Sequence, residues 1–139
     1  MVFIDSDLAI SFLSKRKNKV NQKAKQIMKD LFENHKEIKI TIFNQAELLR
    51  GAYISSKVAL NIRILEEFLQ RFTIIPFTNV MVSTYAKIYA ELQIQGKNIG
   101  DFDELIASIV IANEDVLYTR NIKHFDKIKL LKIINWEKI

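Results

Sequence analysis

The chain has 139 residues, of which 49% are hydrophobic, so it is long and apolar enough to form one folded domain over residues 1–139. It contains no cysteine, which excludes a disulfide framework and a thiolate metal site, and its net charge of +5 favours polyanionic partners only mildly. No cationic segment precedes an apolar run and no stretch of about 18 apolar residues exists, so we expect a cytoplasmic protein without a secretory signal or a membrane span.

The predicted elements alternate between short apolar strands and helices. Apolar residues three and four positions apart predict the helices, and the alternation in "IKITIF" predicts a strand. In chain order we predict a strand at 2–5, a helix at 8–13, a helix at 20–35, a strand at 38–43, helices at 44–54 and 59–72, a strand at 73–77, a helix from 79 up to Gly96, a helix at 102–113, and strands at 116–120 and 129–136. This order is typical of an α/β fold with a parallel sheet between two helical layers.

Polar residues follow the predicted strands at positions where a ligand site is expected. In parallel α/β sheets, ligands bind outside the carboxyl ends of the strands. Asp5 ends the first strand, Asn44 and Glu47 follow the second, and Asn121 follows "VLYTR". The segment "GDFDE" stands at the start of the 102–113 helix. Together these residues predict an acidic pocket at one edge of the sheet.

Helix capping is an alternative explanation for each of these residues taken singly. Asp5 or Ser6 fits the cap of the first helix, and Asn121 fits the cap of a short turn. Asn44 with Glu47, and Asp101 with Glu104, both have the three-residue spacing of a capping box.

Asp103 is less well explained by capping. It lies two residues beyond Asp101 and leads into the apolar segment "LIASIVIA", with no lysine or arginine close in sequence. A carboxylate in that position needs a cationic partner, and a divalent cation would supply one. Oxygen ligands suit Mg²⁺ or Mn²⁺, whereas the isolated His35 and His124 do not suggest a zinc site.

Four segments in order give the chain a resemblance to the PIN-domain ribonucleases, and specifically to the VapC-like toxins of toxin–antitoxin pairs. The segments are "FIDSDLAISFL", "NQAELLRGA", "IGDFDELIAS" and "LYTRNIKHF", and they extend over essentially the whole chain. No single segment is specific, but their order and spacing match the family. The resemblance implies a three-layer α/β/α fold with a short central parallel sheet.

The resemblance also implies which residues form the site. Asp5, Glu47 and Asp103 would be the acidic, metal-holding centre, and Asn121 would be the fourth catalytic position. Asp7 stands where the family usually has asparagine. Asp7 either adds charge near the metal or caps the first helix, and Thr119 either contacts the metal or a phosphate or only ends its strand. Arg120 and Lys123 flank Asn121, where their charge would suit the RNA backbone.

The function implied is Mg²⁺-dependent endoribonuclease activity, with Mn²⁺ as a possible substitute, in which the metal activates a water for phosphodiester hydrolysis. The expected partners are RNA, an antitoxin that covers the active site, and a second copy of the chain or a toxin–antitoxin hetero-oligomer. The lysine-rich segment 15–19 is either a contact for the RNA backbone or a solvated loop.

Three alternatives stay open at this point. The chain could be a PIN-like RNA-processing nuclease without an antitoxin, or a catalytically idle PIN-like module that binds RNA or DNA. "FIDSDLA" also fits the opening motif of haloacid-dehalogenase-type phosphatases, in which Asp5 would be a nucleophile and Asp7 an acid/base.

Overall fold

The computed structural model describes all residues from Met1 to Ile139. It contains five strands and seven α-helices. In chain order they are β1 (Val2–Ile4), α1 (Ser6–Leu13), α2 (Lys19–Asn34), β2 (Ile38–Thr41), α3 (Ile42–Tyr53), α4 (Val58–Leu69), β3 (Thr73–Ile75), α5 (Asn79–Gln95), α6 (Asp101–Ala112), β4 (Val116–Tyr118), α7 (Ile122–Phe125) and β5 (Lys132–Ile134), followed by a 3₁₀ turn at Trp136–Lys138.

The five strands form one parallel sheet in the order β3-β2-β1-β4-β5. The central strand β1 alternates its side chains between two separate hydrophobic cores: Val2 and Ile4 face the core with α1 to α4, and Phe3 faces the core with α5 to α7. The predicted three-layer α/β/α architecture with a short parallel sheet is therefore confirmed. None of the helices is both long and apolar enough to cross a bilayer.

The strands end earlier than the sequence predicts. The second strand was expected to continue to Phe43, but Thr41 turns the chain into α3 because its hydroxyl accepts a hydrogen bond from the Asn44 N–H. The strand predicted at 116–120 ends at Tyr118, and the one predicted at 129–136 consists of three residues. The short α7 and the C-terminal 3₁₀ turn were not predicted, because each is too short to show a hydrophobic period.

Helix α6 is the most deeply buried helix, in agreement with its apolar sequence. Ile106 and Ile109 are fully buried against the sheet. The helix begins after Gly100, whose φ of 109° is a conformation that other residues rarely adopt. This glycine turn places the first turn of α6, and with it Asp103, at the carboxyl edge of the sheet.

Candidate active site

A cleft of about 410 Å³ opens at the carboxyl ends of β1 and β4. Four carboxylates line it, and Arg120 is the only cationic side chain that does so. The lining residues are Asp5, Ser6, Asp7, Ile10, Glu47, Asp103, Arg120 and Asn121. The structure thus brings together the four residues predicted to be catalytic, although they come from four separate segments of the chain.

Asp5 is the buried centre of the site, and three neighbours donate hydrogen bonds to it. Its Oδ1 accepts from the Ser6 N–H at 2.8 Å and from the Asn44 amide at 3.0 Å. Its Oδ2 accepts from the Thr119 hydroxyl at 2.7 Å. Asp5 is also the N-cap of α1, so the capping interpretation is correct for this residue, and the same side chain lines the cleft.

Glu47 reaches the cleft from the second turn of α3. The Ser6 hydroxyl donates to its Oε1 at 2.9 Å, and Arg50 lies 3.8 Å from its Oε2. The buried Asn44 amide connects the two halves of this network because it donates both to Asp5 and, at 2.9 Å, to the Ser6 hydroxyl. The predicted capping role of Asn44 and Glu47 is wrong, since Thr41 is the cap.

Asp103 contacts two side chains that follow β4. His124 Nδ1 lies 2.8 Å from Asp103 Oδ2, and the Asn121 amide nitrogen lies 3.4 Å from the same oxygen. The predicted cap at Asp101 is wrong because Gly100 occupies that position, and Asp101 instead accepts a hydrogen bond from the Tyr85 hydroxyl.

Asp7 is tied to the C-terminal turn and to the loop after β4. The indole N–H of the fully buried Trp136 donates to its Oδ1 at 3.0 Å, and the backbone N–H of Arg120 donates to its Oδ2 at 2.7 Å. Thr119 lies 3.3 Å from that same oxygen. Both oxygens of Asp7 are therefore committed to protein donors, which distinguishes it from Asp103, whose Oδ1 has no protein partner.

Arg120 and Lys123 occupy different positions relative to the cleft. Arg120 stands at its rim, where its guanidinium pairs with Glu137 at 3.2 Å and lies over the Trp136 ring. Lys123 is exposed on α7 and does not line the cleft. Thr119 is buried, and its hydroxyl acts inside the Asp5 network.

Two of the four carboxylates, Asp5 and Glu47, have raised pKa values. Burial raises the pKa of Asp5 from 3.8 to about 7; the nearby Asp7 charge adds to this, and the bonds from Thr119 and Ser6 only partly oppose it. Burial likewise raises the pKa of Glu47, against the hydrogen bond from Ser6 and with support from Asp103. The metal-free cleft is consequently strained by like charge near neutral pH.

Four residues of this site were missed or left without a role by sequence reasoning: Ser6, Asn44, His124 and Trp136. Ser6 was weighed only as a cap, Asn44 was placed at the sheet edge without a role in the site, and the histidine was set aside because no second histidine stood near it. The "NQAE" and "IKHF" segments did carry a signal, since each begins within four residues of a strand end. Their roles depend on contacts between distant segments.

The comparison with known families identifies the fold family. A PIN domain model matches residues 2–130. This chain belongs to the PIN-domain family. The resemblance drawn from the four sequence segments is therefore confirmed, and the haloacid-dehalogenase-type alternative is wrong.

Characterised relatives of the chain are VapC proteins. The chain is 38% identical over 109 residues to ribonuclease VapC2 of Rickettsia felis, covering 78% of this chain and 81% of that protein. It is 28% identical over 90 residues to the tRNA(fMet)-specific endonuclease VapC of Shigella flexneri, covering 65% and 68% respectively.

Two solved structures share the fold along the whole chain. VapBC2 from Rickettsia felis, bound to a DNA fragment from its promoter, superimposes with a TM-score of 0.86 and 31% identity over 98% of this chain and 99% of that one. FitAcB from Neisseria gonorrhoeae gives the same TM-score at 21% identity over 100% of both chains, which is a likeness of fold.

PIN-domain nucleases generally depend on divalent metals, and the donor set of this cleft suits such an ion. It offers carboxylate and carboxamide oxygens and no thiolate, and its net negative charge needs a cation. No three acidic, imidazole or thiol groups are arranged to hold one ion by themselves. A hard cation that keeps several waters and takes one or two carboxylates fits this arrangement.

Proposed function

We propose that this chain is a metal-dependent endoribonuclease that hydrolyses RNA phosphodiester bonds at the cleft around Asp5, and that it acts as the toxin of a toxin–antitoxin pair. The observation that carries the proposal is the convergence of Asp5, Glu47, Asp103 and Asn121 on one cleft in a PIN domain whose relatives are ribonucleases. Mg²⁺ is the metal that we infer, with Mn²⁺ as a substitute, and the cytoplasm is the expected location.

Asp5, Asp103 and Glu47 were predicted to hold the metal together. Because no three such groups are arranged to hold one ion by themselves, we assign direct contact with the metal to Asp103 and Glu47, with Asp5 beneath them. A bound divalent ion supplies an activated water and stabilises charge on the phosphate and the leaving oxygen. Asp5 cannot rotate freely, because three donors fix both of its oxygens. Its charge therefore stays at the floor of the site, where it attracts the cation.

Arg120 is the residue that we assign to the RNA backbone. Its guanidinium is the one cationic group on the cleft rim and is held there by Glu137 and the Trp136 ring. Such contacts position a nucleic acid without reading its sequence. The lysines of segment 15–19 are exposed after the C-terminal end of α1, the helix whose N-terminal residues line the cleft.

A groove beside the cleft supports the antitoxin as a partner. This groove has a volume of about 620 Å³ and lies between α1, α3 and α4. Its walls are mainly aliphatic, and it shares Ile10 and Glu47 with the cleft. A partner seated in it would extend over the carboxylates and block access to RNA. The aliphatic walls suit apolar peptide side chains better than stacked bases.

The deciding experiment is an RNA-cleavage assay on the purified chain with Mg²⁺ or Mn²⁺. Cleavage should be lost with EDTA and should return with excess metal, and Asp103→Asn should lower it by at least 100-fold. Cleavage that persists in EDTA, or full activity in the variant, contradicts the proposal and favours an idle binding module or a different site.

A second experiment tests the toxin assignment separately. The chain should co-purify with the product of a short open reading frame next to its gene, and that product should inhibit cleavage. Leu60→Glu in the groove should weaken the complex, whereas Leu130→Glu, an exposed change outside the groove, should not. Active enzyme without any such partner identifies an RNA-processing nuclease. Light scattering of the isolated chain tests the expected homodimer.

A further inference from the structure

His124 is the one imidazole that touches the carboxylates of the cleft. It lies on α7, 21 residues beyond Asp103, and its Nδ1 approaches Asp103 Oδ2 at 2.8 Å. This distance is that of a charge-assisted hydrogen bond. His35, the other histidine of the chain, caps the end of α2 and takes no part in the site.

The geometry determines which nitrogen of His124 carries hydrogen. An ionised carboxylate only accepts hydrogen bonds, so the 2.8 Å contact requires the hydrogen on Nδ1. The Asn121 amide lies 3.1 Å from that nitrogen and 3.4 Å from Asp103 Oδ2. Because Nδ1 is then a donor, the amide of Asn121 can donate only to the carboxylate, and the two donors converge on one oxygen.

The two carboxylate oxygens of Asp103 therefore have different environments. Oδ2 accepts from His124 and Asn121, while Oδ1 has no partner in the protein and remains available on the cleft side. Asn121 and His124 are the only side chains that donate hydrogen bonds to Asp103, so no other hydrogen bond fixes its rotamer when they are removed. Partners that orient a metal-binding carboxylate in this way typically change metal affinity by about 10–100-fold.

We propose that His124 is a positioning residue for the metal site: its Nδ1–H holds Asp103 so that Oδ1 is presented to the divalent ion. This inference rests on the proposed metal-dependent function. It assigns no contact with RNA or with the ion to the imidazole, whose Nε2 is left for solvent. The side chain of His124 is 41% exposed, so its replacement removes little packing.

Three substitutions separate the two nitrogens of the ring. Asparagine places an amide N–H near the position of Nδ1, glutamine places one near the position of Nε2, and alanine supplies neither. His124→Asn should therefore retain Mn²⁺ affinity near that of the wild type. His124→Gln and His124→Ala should bind Mn²⁺ about 10–100-fold more weakly. His35→Ala is the matched control and should leave the affinity unchanged.

The measurement is Mn²⁺ binding to the full chain, followed by electron paramagnetic resonance, with kcat and KM for RNA determined at several Mn²⁺ concentrations. In the alanine variant, kcat at saturating Mn²⁺ should return to within a few-fold of the wild type. Unchanged Mn²⁺ affinity in His124→Ala overturns the inference, as does rescue by glutamine but not asparagine, or a kcat that stays low at saturating metal. A wild-type chain that binds no Mn²⁺ overturns the proposed metal-dependent function together with it.

Discussion

Replacing Asp5 with asparagine should stabilise the metal-free protein while it abolishes cleavage. Asparagine can keep all three contacts of the carboxylate: its carbonyl oxygen accepts from Ser6 and Asn44, and its amide can donate to the Thr119 oxygen. The Thr119 hydroxyl then turns its hydrogen to Asp7, which lies 3.3 Å away. Asparagine is also as good an N-cap as aspartate. The substitution therefore removes a buried charge and little else.

The size of the effect follows from the pKa of Asp5. In the folded chain this pKa is raised from 3.8 to about 7, so the folded state holds the proton more tightly than the unfolded state does. The contribution of protonated Asp5 to the free energy of unfolding is thus lost as the pH rises from about 4 to about 7, and no further loss from this residue occurs above that range. The difference between the two pKa values corresponds to roughly 4 kcal/mol. For a chain of this size, that is on the order of 10 °C in Tm.

The assay is thermal unfolding of wild type and Asp5→Asn between pH 4 and pH 9, with and without Mn²⁺. Without metal, the variant should melt on the order of 10 °C higher at pH 8, and the gap should narrow steadily towards pH 4. Mn²⁺ should raise the Tm of the wild type much more than that of the variant, because the ion relieves repulsion that the variant lacks.

The matched control is Asp30→Asn, which removes an exposed carboxylate on α2 and should shift the Tm by little at any pH. A variant that is less stable than the wild type, or a difference that is independent of pH, would refute the reasoning. Either result would mean that the hydrogen bonds from its three donors fully offset the free-energy cost of burying the ionised Asp5 carboxylate.

Three further changes test other contacts of the site. Trp136→Phe removes the donor to Asp7 and should lower the free energy of unfolding by about 2 kcal/mol, measured by circular dichroism because Trp136 is the only tryptophan; an unchanged value would contradict a structural role for that bond. Glu104→Gln should raise the Tm by a few degrees in calorimetry with kcat retained, since burial raises the pKa of Glu104 against the hydrogen bonds from Ile99, Gly100 and Asn98, and glutamine keeps an acceptor oxygen without the charge; a lower Tm would speak against this. Arg120→Ala should reduce the slope of log K for RNA binding against log salt concentration by about one, measured by fluorescence anisotropy. An unchanged slope would show that Arg120 makes no contact with the RNA backbone.

The location of the site was predictable because it follows from the order of the strands. Short apolar strands alternating with helices predict a parallel sheet, and parallel strands carry ligands at their carboxyl edge. Asp5 and Asn121 were therefore expected to meet, although 116 positions separate them, and both line the same cleft.

The contacts that orient these residues were not predictable, because they depend on how helices pack. His124 reaches Asp103 only because α7 lies beside the first turn of α6, and α7 is too short to show a period. Trp136 reaches Asp7 across 129 positions, through a turn that no local pattern indicates. Asn44 was considered as a cap because its spacing to Glu47 fits one, and the strand end at Thr41 shifted that role by three residues.

Asp7 shows why a count of carboxylates in the cleft overstates the number available to a metal. Its two oxygens accept hydrogen bonds from the Trp136 indole and from the backbone N–H of Arg120. These bonds connect α1 to the C-terminal turn and to the loop that carries Arg120 and Asn121. Its charge nevertheless acts on Asp5, where it is the largest cause of the raised pKa after burial. The same residue thus stabilises the frame of the site and increases the repulsion within it. A cation in the cleft would offset that repulsion, so the proposed metal binding would be linked to the C-terminal turn through Asp7, although the turn supplies no ligand.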